Sequence, residues 1–207
     1  MIDVRDYFWP MIPDKIYGLL LAGGYSRRMK TDKAFLKYDG EFQYIRMLKL
    51  LRQVCEKTFI SCREDQVKQF NKNNNADGCV TDQLKGVGPA AALLAAHDYY
   101  PGPWLVLACD LPLVDLDALE YLVQLRESDK IATAYQIAGN SFPEPLVTIW
   151  EPAGLAILKE KVQQQPVRLI DVLNNHPCRS LLPPFPEKLT NANTPVDDKW
   201  VRNQMKP

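Results

Sequence analysis

The sequence predicts a three-layer α/β fold built around a mostly parallel sheet, and three observations predict it. Two apolar runs, 16–22 and 104–109, show no hydrophobic–polar alternation and stop abruptly at Gly23 and Asp110. Strands buried on both faces read this way. Other segments repeat their apolar residues at helical spacing. Strand-like and helix-like segments then alternate along the chain, the order that right-handed crossovers turn into a parallel sheet covered by helices.

A length of 207 residues suits one large domain, and 46% hydrophobic with 24% charged residues is an ordinary globular composition. Residues 1–14 contain Trp9-Pro10 and Ile12-Pro13, which resist regular structure. We read them as an N-terminal extension whose aromatics (Tyr7, Phe8, Trp9) pack on a single domain at 15–207. After the first strand, Gly23 and Gly24 remove Cβ atoms where the backbone turns or a ligand comes close. The pattern predicts a helix over 41–55, with Tyr44, Leu48, Leu51 and Cys55 at helical spacing. A strand over 58–62, a helix over 64–71 and a polar loop over 71–78 follow. A brief strand over 79–81 ends at Asp82, and Lys85-Gly86-Val87-Gly88-Pro89 opens an alanine-rich helix reaching about residue 97. Pro89 suits the first helical turn.

The strand over 104–109 leads into Asp110-Leu111-Pro112, and Asp115 caps a helix that runs to about residue 126. Strands over 131–137 and 146–150, helices over 154–163 and 168–173, and a strand over 179–182 complete the alternation. A terminal helix occupies 194–204, and no internal repeat is present.

Lys+Arg and Asp+Glu both number 25, so the zero net charge argues against a broad nucleic-acid surface while allowing a local basic pocket. No apolar run approaches the length that spans a bilayer, and the N-terminus lacks an export signal, so a cytoplasmic protein is expected. Five scattered cysteines without Cys-x-x-Cys spacing argue for reduced thiols rather than a disulfide framework or zinc site. His97 and His176 are the only histidines, too few for a His-rich metal site.

The chemistry gathers where strands end. Arg27, Arg28, Lys30 and Lys33 follow the glycine pair. Forked guanidinium donors with compact ammonium charges suit a polyphosphate, although a solvated basic loop has the same spacing. Met29-Lys30-Thr31 lacks the glycine that a Walker loop places before Lys-Thr, and G-x-G-x-x-G is absent. Ligands of open α/β sheets lie outside the carboxyl ends of the strands. Gly23, Asp82 and Asp110 all fall there, so one crevice is expected to hold them. Asp110 terminates a buried strand, and its natural task is to hold magnesium, which takes one or two carboxylates plus substrate phosphates. The amides of Gly86-Val87-Gly88-Pro89 are placed to face a base or sugar. Asn191 and Asn193 either give a neutral oxygen to the metal or cap the terminal helix; spacing does not choose.

Leu21-Ala22-Gly23-Gly24, Arg28-Met29, Asp32-Lys33, Gly88-Pro89, Cys109-Asp110-Leu111-Pro112 and Asn191-Ala192-Asn193-Thr194-Pro195, in this order, resemble the molybdenum cofactor guanylyltransferase family. The resemblance runs from about residue 15 to the C-terminus. It implies a Rossmann-like nucleotidyltransferase fold and transfer of GMP from GTP to the terminal phosphate of molybdopterin, with Mg2+ and release of pyrophosphate. It also implies that Leu21, Ala22, Gly23 and Gly24 contact the nucleotide, with Gly88 and Pro89, and that Asp82 contacts the nucleoside. Arg28 and Lys33 would act catalytically on the triphosphate, and Asp110 on nucleotide and metal, with Asn193 or Asn191 completing the metal site. The nucleotide half would cover about 15–130 and the acceptor half about 131–207, where Glu144-Pro145-Leu146 and Arg168 line the acceptor side. Other cofactor-biosynthesis proteins are the expected transient partners.

Three positions depart from the family pattern. Lys30 stands in place of a glycine, Ala92 replaces a glycine near the expected guanine, and Arg63 takes roughly the place of a nucleotide-contacting asparagine. They keep two alternatives open: a cytidylyltransferase or sugar-phosphate nucleotidyltransferase, and a non-catalytic nucleotide or pterin carrier.

Overall fold

The computed structural model describes residues 15–24, 32–72, 76–81, 87–137, 139 and 142–205. The extension at 1–14 lies outside the described residues, as do Arg28, Lys30, Asp82 and Gly86. In chain order the first half comprises β1 (Tyr17–Leu21), a 3-10 turn (Lys33–Phe35), β2 (Lys37–Tyr38), β3 (Glu41–Phe42), α1 (Gln43–Val54), β4 (Lys57–Ser61), α2 (Glu64–Lys72), β5 (Gly78–Val80), α3 (Pro89–Tyr99) and β6 (Trp104–Ala108). The second half comprises α4 (Leu116–Gln124), β7 (Ala132–Tyr135), β8 (Val147–Trp150), α5 (Pro152–Gln164), α6 (Leu169–Asn175), β9 (Arg179–Leu181), a second 3-10 turn (Pro186–Leu189) and α7 (Pro195–Gln204).

Among the described residues seven strands form one sheet in the order β5-β4-β1-β6-β8-β7-β9. The pairs β4–β5, β1–β4, β1–β6 and β7–β9 are parallel, whereas β8 runs against both β6 and β7. The mostly parallel sheet expected from the sequence is present. Neighbouring residues of one strand feed opposite cores, as side-chain alternation requires. Leu20 packs with Tyr44, Leu48, Phe70 and Leu119 under α1, α2 and α4, whereas Leu19 packs with Leu93, Leu155 and Val172 under α3, α5 and α6. Both faces of the sheet are therefore covered by helices.

The expected helix over 41–55 starts two residues late. Glu41 and Phe42 instead pair with Tyr38 and Lys37 in a separate two-stranded ribbon. Asp39 (φ 49°) and Gly40 (φ 81°) make its turn, the positive-φ pair that a tight hairpin demands. The strand expected over 131–137 is shortened to Ala132–Tyr135. Asp115 caps α4 as expected, its side chain accepting from Ala118 N–H at 3.1 Å. Thr194 caps α7 in a reciprocal box with Asp197, and Pro195 takes the first turn.

Candidate active site

β1 and β6 lie side by side and stop together, Leu21 opposite Ala108. Cys109 N–H donates to Leu21 O at 3.2 Å and Ala22 N–H to Ser61 O at 2.9 Å, so both corners are pinned just past the sheet. Neither Gly23 nor Gly24 takes positive φ. What the pair contributes is absent bulk: a Cβ on Gly24 meets nothing within 4 Å among the described residues.

Asp110 follows at the tip of β6, and two distant segments converge on it. Ala192 N–H donates to Asp110 O at 2.7 Å, drawing the 191–193 segment across. The Lys33 ammonium lies 2.7 Å from Asn193 Oδ1 and 3.4 Å from Asp110 Oδ2. These side chains are largely shielded, 15% exposed for Lys33 and 22% for Asp110, so water screens the charges weakly. Asn193 does not use its side chain as a helix cap; its backbone N–H goes to Asp197 while its amide oxygen faces the ammonium. Spacing alone left open whether its side chain caps the helix, and the structure shows Thr194 in that role.

The second oxygen, Asp110 Oδ1, is buried and has no hydrogen-bond partner among the described residues. A buried carboxylate oxygen without a donor is costly unless a cation or water completes it. One carboxylate with one neutral amide oxygen fits magnesium, which retains waters and takes phosphate oxygens. No group of three or more His, Cys, Asp or Glu side chains able to hold a metal occurs among the described residues.

The reversed direction of β8 brings its entrance to the same end. Leu107 faces Val147 and Ala108 N–H donates to Leu146 O at 3.1 Å, so Glu144-Pro145-Leu146 adjoins the Asp110 corner. The Glu144 carboxylate accepts from Leu146 N–H at 3.0 Å. Burial pushes the Glu144 carboxyl above the usual range; the Leu146 N–H opposes this, and the charge of Asp110 adds to the rise. Among the other expected site residues, Gly88 (φ 56°) and Pro89 open α3. Ala92 is buried in the core between α3 and the sheet. Arg168 heads α6 with a largely exposed side chain paired to Asp171, and makes no hydrogen bond or ion pair with Lys33, Asp110 or Asn193.

Arg63 follows β4 and donates to Gly23 O at 3.0 Å and Gly24 O at 3.4 Å. Gln66, buried in α2, donates to Asp32, and Asp32 accepts from Ala34 N–H in the turn that carries Lys33. Gln66 was not among the sequence candidates. Its only signal was a polar residue at the apolar spacing of Gln66 and Phe70 in α2.

Residues 18–178 match the MobA-like NTP transferase domain. The chain belongs to that family. A relative in Synechococcus elongatus named a probable molybdenum cofactor guanylyltransferase is 32% identical over 193 residues, 90% of this chain and 97% of the relative. A molybdenum cofactor biosynthesis bifunctional protein of Synechocystis is 32% identical over 186 residues; these cover 88% of this chain and about half (52%) of that protein's length. The solved structure of molybdopterin-guanine dinucleotide biosynthesis protein A from Archaeoglobus fulgidus superposes with a TM-score of 0.75 at 22% identity, covering 91% of this chain and 97% of that one. This last likeness shows a shared nucleotidyltransferase fold. Lys33 and Asp110 both lie within the matched residues 18–178, and Asn193 lies beyond them.

Proposed function

We infer that this MobA-like NTP transferase is a molybdenum cofactor guanylyltransferase, moving GMP from GTP to the terminal phosphate of molybdopterin or its molybdenum-bearing form. The observation that carries the reading is the Lys33–Asp110–Asn193 cluster beside the glycine pair. The names of the relatives supply the nucleotide and the acceptor. In the reaction an acceptor phosphate oxygen bonds to the α-phosphorus of GTP, the bond from that phosphorus to the β-phosphate bridge breaks, and pyrophosphate leaves with the electron pair. The attacking phosphate is already an anion, so no strong base is needed. The obstacle is bringing anion to anion, and positioning with charge neutralisation removes it.

Lys33 carries the cation that meets the departing pyrophosphate, with Arg28 on the same triphosphate. Asp110 and Asn193 would hold Mg2+, which supplies charge neutralisation to the phosphates when bound. Gly23 and Gly24 let phosphate approach the backbone, Asp82, Gly88 and Pro89 serve the nucleoside, and Pro145, Leu146 and Arg168 serve the acceptor. In this reading residues 15–130 form the nucleotide half and 131–207 the acceptor half of one domain preceded by the extension at 1–14. No helix among the described residues is long and apolar enough to cross a membrane, and the reading places the reaction in the cytoplasm. The product passes by transient contact to other cofactor-biosynthesis proteins.

Pyrophosphate release by the full chain, with Mg2+, molybdopterin and each of GTP, CTP, ATP and UTP, tests this. Release with GTP well above the others is expected; preference for CTP would overturn the base assignment, and no release above background the transferase itself. On the acceptor side, Arg168→Ala is expected to raise the KM for molybdopterin several-fold, the scale of one exposed charged contact, with GTP binding unchanged. Titrations of both substrates check it, and parallel weakening of the two would remove Arg168 from the acceptor wall.

A further inference from the structure

Arg63 takes roughly the place where the family pattern puts a nucleotide-contacting asparagine, yet its guanidinium is spent on this protein's own chain. One terminal nitrogen, Nη1, donates to Gly23 O and Gly24 O at 3.0 and 3.4 Å. Nε and Nη2 grip the Asp65 carboxylate at 3.1 and 3.4 Å, and Nη2 lies 3.7 Å from Asp32 Oδ2. The Arg63 backbone N–H is held by Gln66 Oε1 at 2.9 Å, and the other end of that amide donates to Asp32. Asp32 in turn caps the turn carrying Lys33, whose ammonium reaches Asp110 and Asn193. A continuous set of contacts thus joins the tip of β1, the start of α2 and the lysine of the site.

We propose that Arg63 is a positioning residue: it fixes the Gly23–Gly24 carbonyls and Asp32 in one arrangement, and so sets the phosphate end of the site and the aim of Lys33 without reading the base. This rests on the nucleotidyltransferase reading and assigns how one of its departures from the family pattern works. A guanidinium suits the task because its fork spans two carbonyls and a carboxylate at once, which an asparagine amide or an ammonium does not match. Anchoring by Asp65 fixes the orientation in which the fork is presented. Losing it leaves the two carbonyls without their donor and Asp32 without its neighbouring cation, and the phosphate-binding geometry loosens.

The test separates phosphate from base. Binding of GTP, CTP and inorganic tripolyphosphate, each with Mg2+, is measured by titration calorimetry on the full-length wild type, Arg63→Ala, Arg63→Lys and Asp32→Asn. The expected result is a loss of about tenfold for all three ligands alike in each variant, the scale of hydrogen bonds that involve a charged group. The GTP to CTP ratio stays as in the wild type, and lysine does not rescue. Thermal melting identifies any variant that fails to fold, and Asp32→Asn carries the test if Arg63→Ala is one. Loss of GTP affinity with tripolyphosphate binding intact would overturn the proposal in favour of base contact and leave the transferase reading standing. Unchanged binding of all three ligands would also overturn it. Wild-type protein that binds neither GTP nor tripolyphosphate would overturn both readings.

Discussion

Asp110→Asn is expected to lower turnover by about a hundredfold or more, the scale seen when a principal electrostatic stabiliser is removed. The substitution keeps the shape of the side chain and removes the charge that faces Lys33 at 3.4 Å. It also removes the charge from an oxygen, Oδ1, that is buried and lacks a donor among the described residues. The folded state loses one ion pair and sheds one awkward buried anion, so the two changes offset. Melting temperature is therefore expected to move by only a few degrees while the rate collapses. Pyrophosphate release at saturating GTP and acceptor, run beside a thermal melt, separates these effects. A variant with near-normal, magnesium-dependent rate would remove Asp110 from the site; a rate loss matched by a large fall in melting temperature would make it structural.

Lys33→Met should produce the second large loss, again about a hundredfold in turnover, by removing the cation proposed to meet the leaving pyrophosphate. It carries a second, opposite signature. The ammonium lies against Asp110 Oδ2 and Asn193 Oδ1, on the two side chains proposed to hold Mg2+. On that proposal lysine and metal compete for the same side chains. Without the ammonium, Mn2+ binding to the nucleotide-free protein, followed by electron paramagnetic resonance, is expected to tighten by about tenfold, which corresponds to about 1.4 kcal/mol of removed competition. Turnover that falls while Mn2+ binding also weakens would mean that Lys33 builds the metal site rather than standing in it.

The fold was legible where burial writes directly into composition. The runs that became β1 and β6 are apolar throughout because helices cover both faces, and their carboxyl ends could be read to within one residue from Gly23 and Asp110. The β2–β3 ribbon was hidden, because Glu41 and Phe42 run without a break into the helical spacing of α1. The Asp39-Gly40 dipeptide was the available signal, since few other pairs accept positive φ at successive positions. The reversal of β8 left no trace in its own residues. A four-residue buried strand reads the same in either direction, and its orientation follows from the long connection before it.

The candidate site divides in the same way. Asp110 announced itself by interrupting an apolar run. Lys33 lies 77 residues from Asp110 and 160 from Asn193 in the chain, a convergence no local pattern encodes. Arg63 stood out as a departure from the family pattern, but its partners did not. Backbone carbonyls carry no side-chain signature, and the contact between Arg63 and Gly23 spans 40 residues.

The mixed neighbourhood of β6 has an engineering consequence. One flank of this strand is shared with β1 and the glycine corner, the other with β8 and the Glu144-Pro145-Leu146 entrance, and Asp110 stands at the seam. On the proposed division into nucleotide and acceptor halves, the donor-handling and recipient-handling parts are grafted onto a common spine from opposite sides. Chimeras that exchange everything after α4 between members of the family should keep their NTP preference while inheriting a new recipient, provided the Ala108–Leu146 and Asp110–Ala192 backbone bonds are retained across the joint.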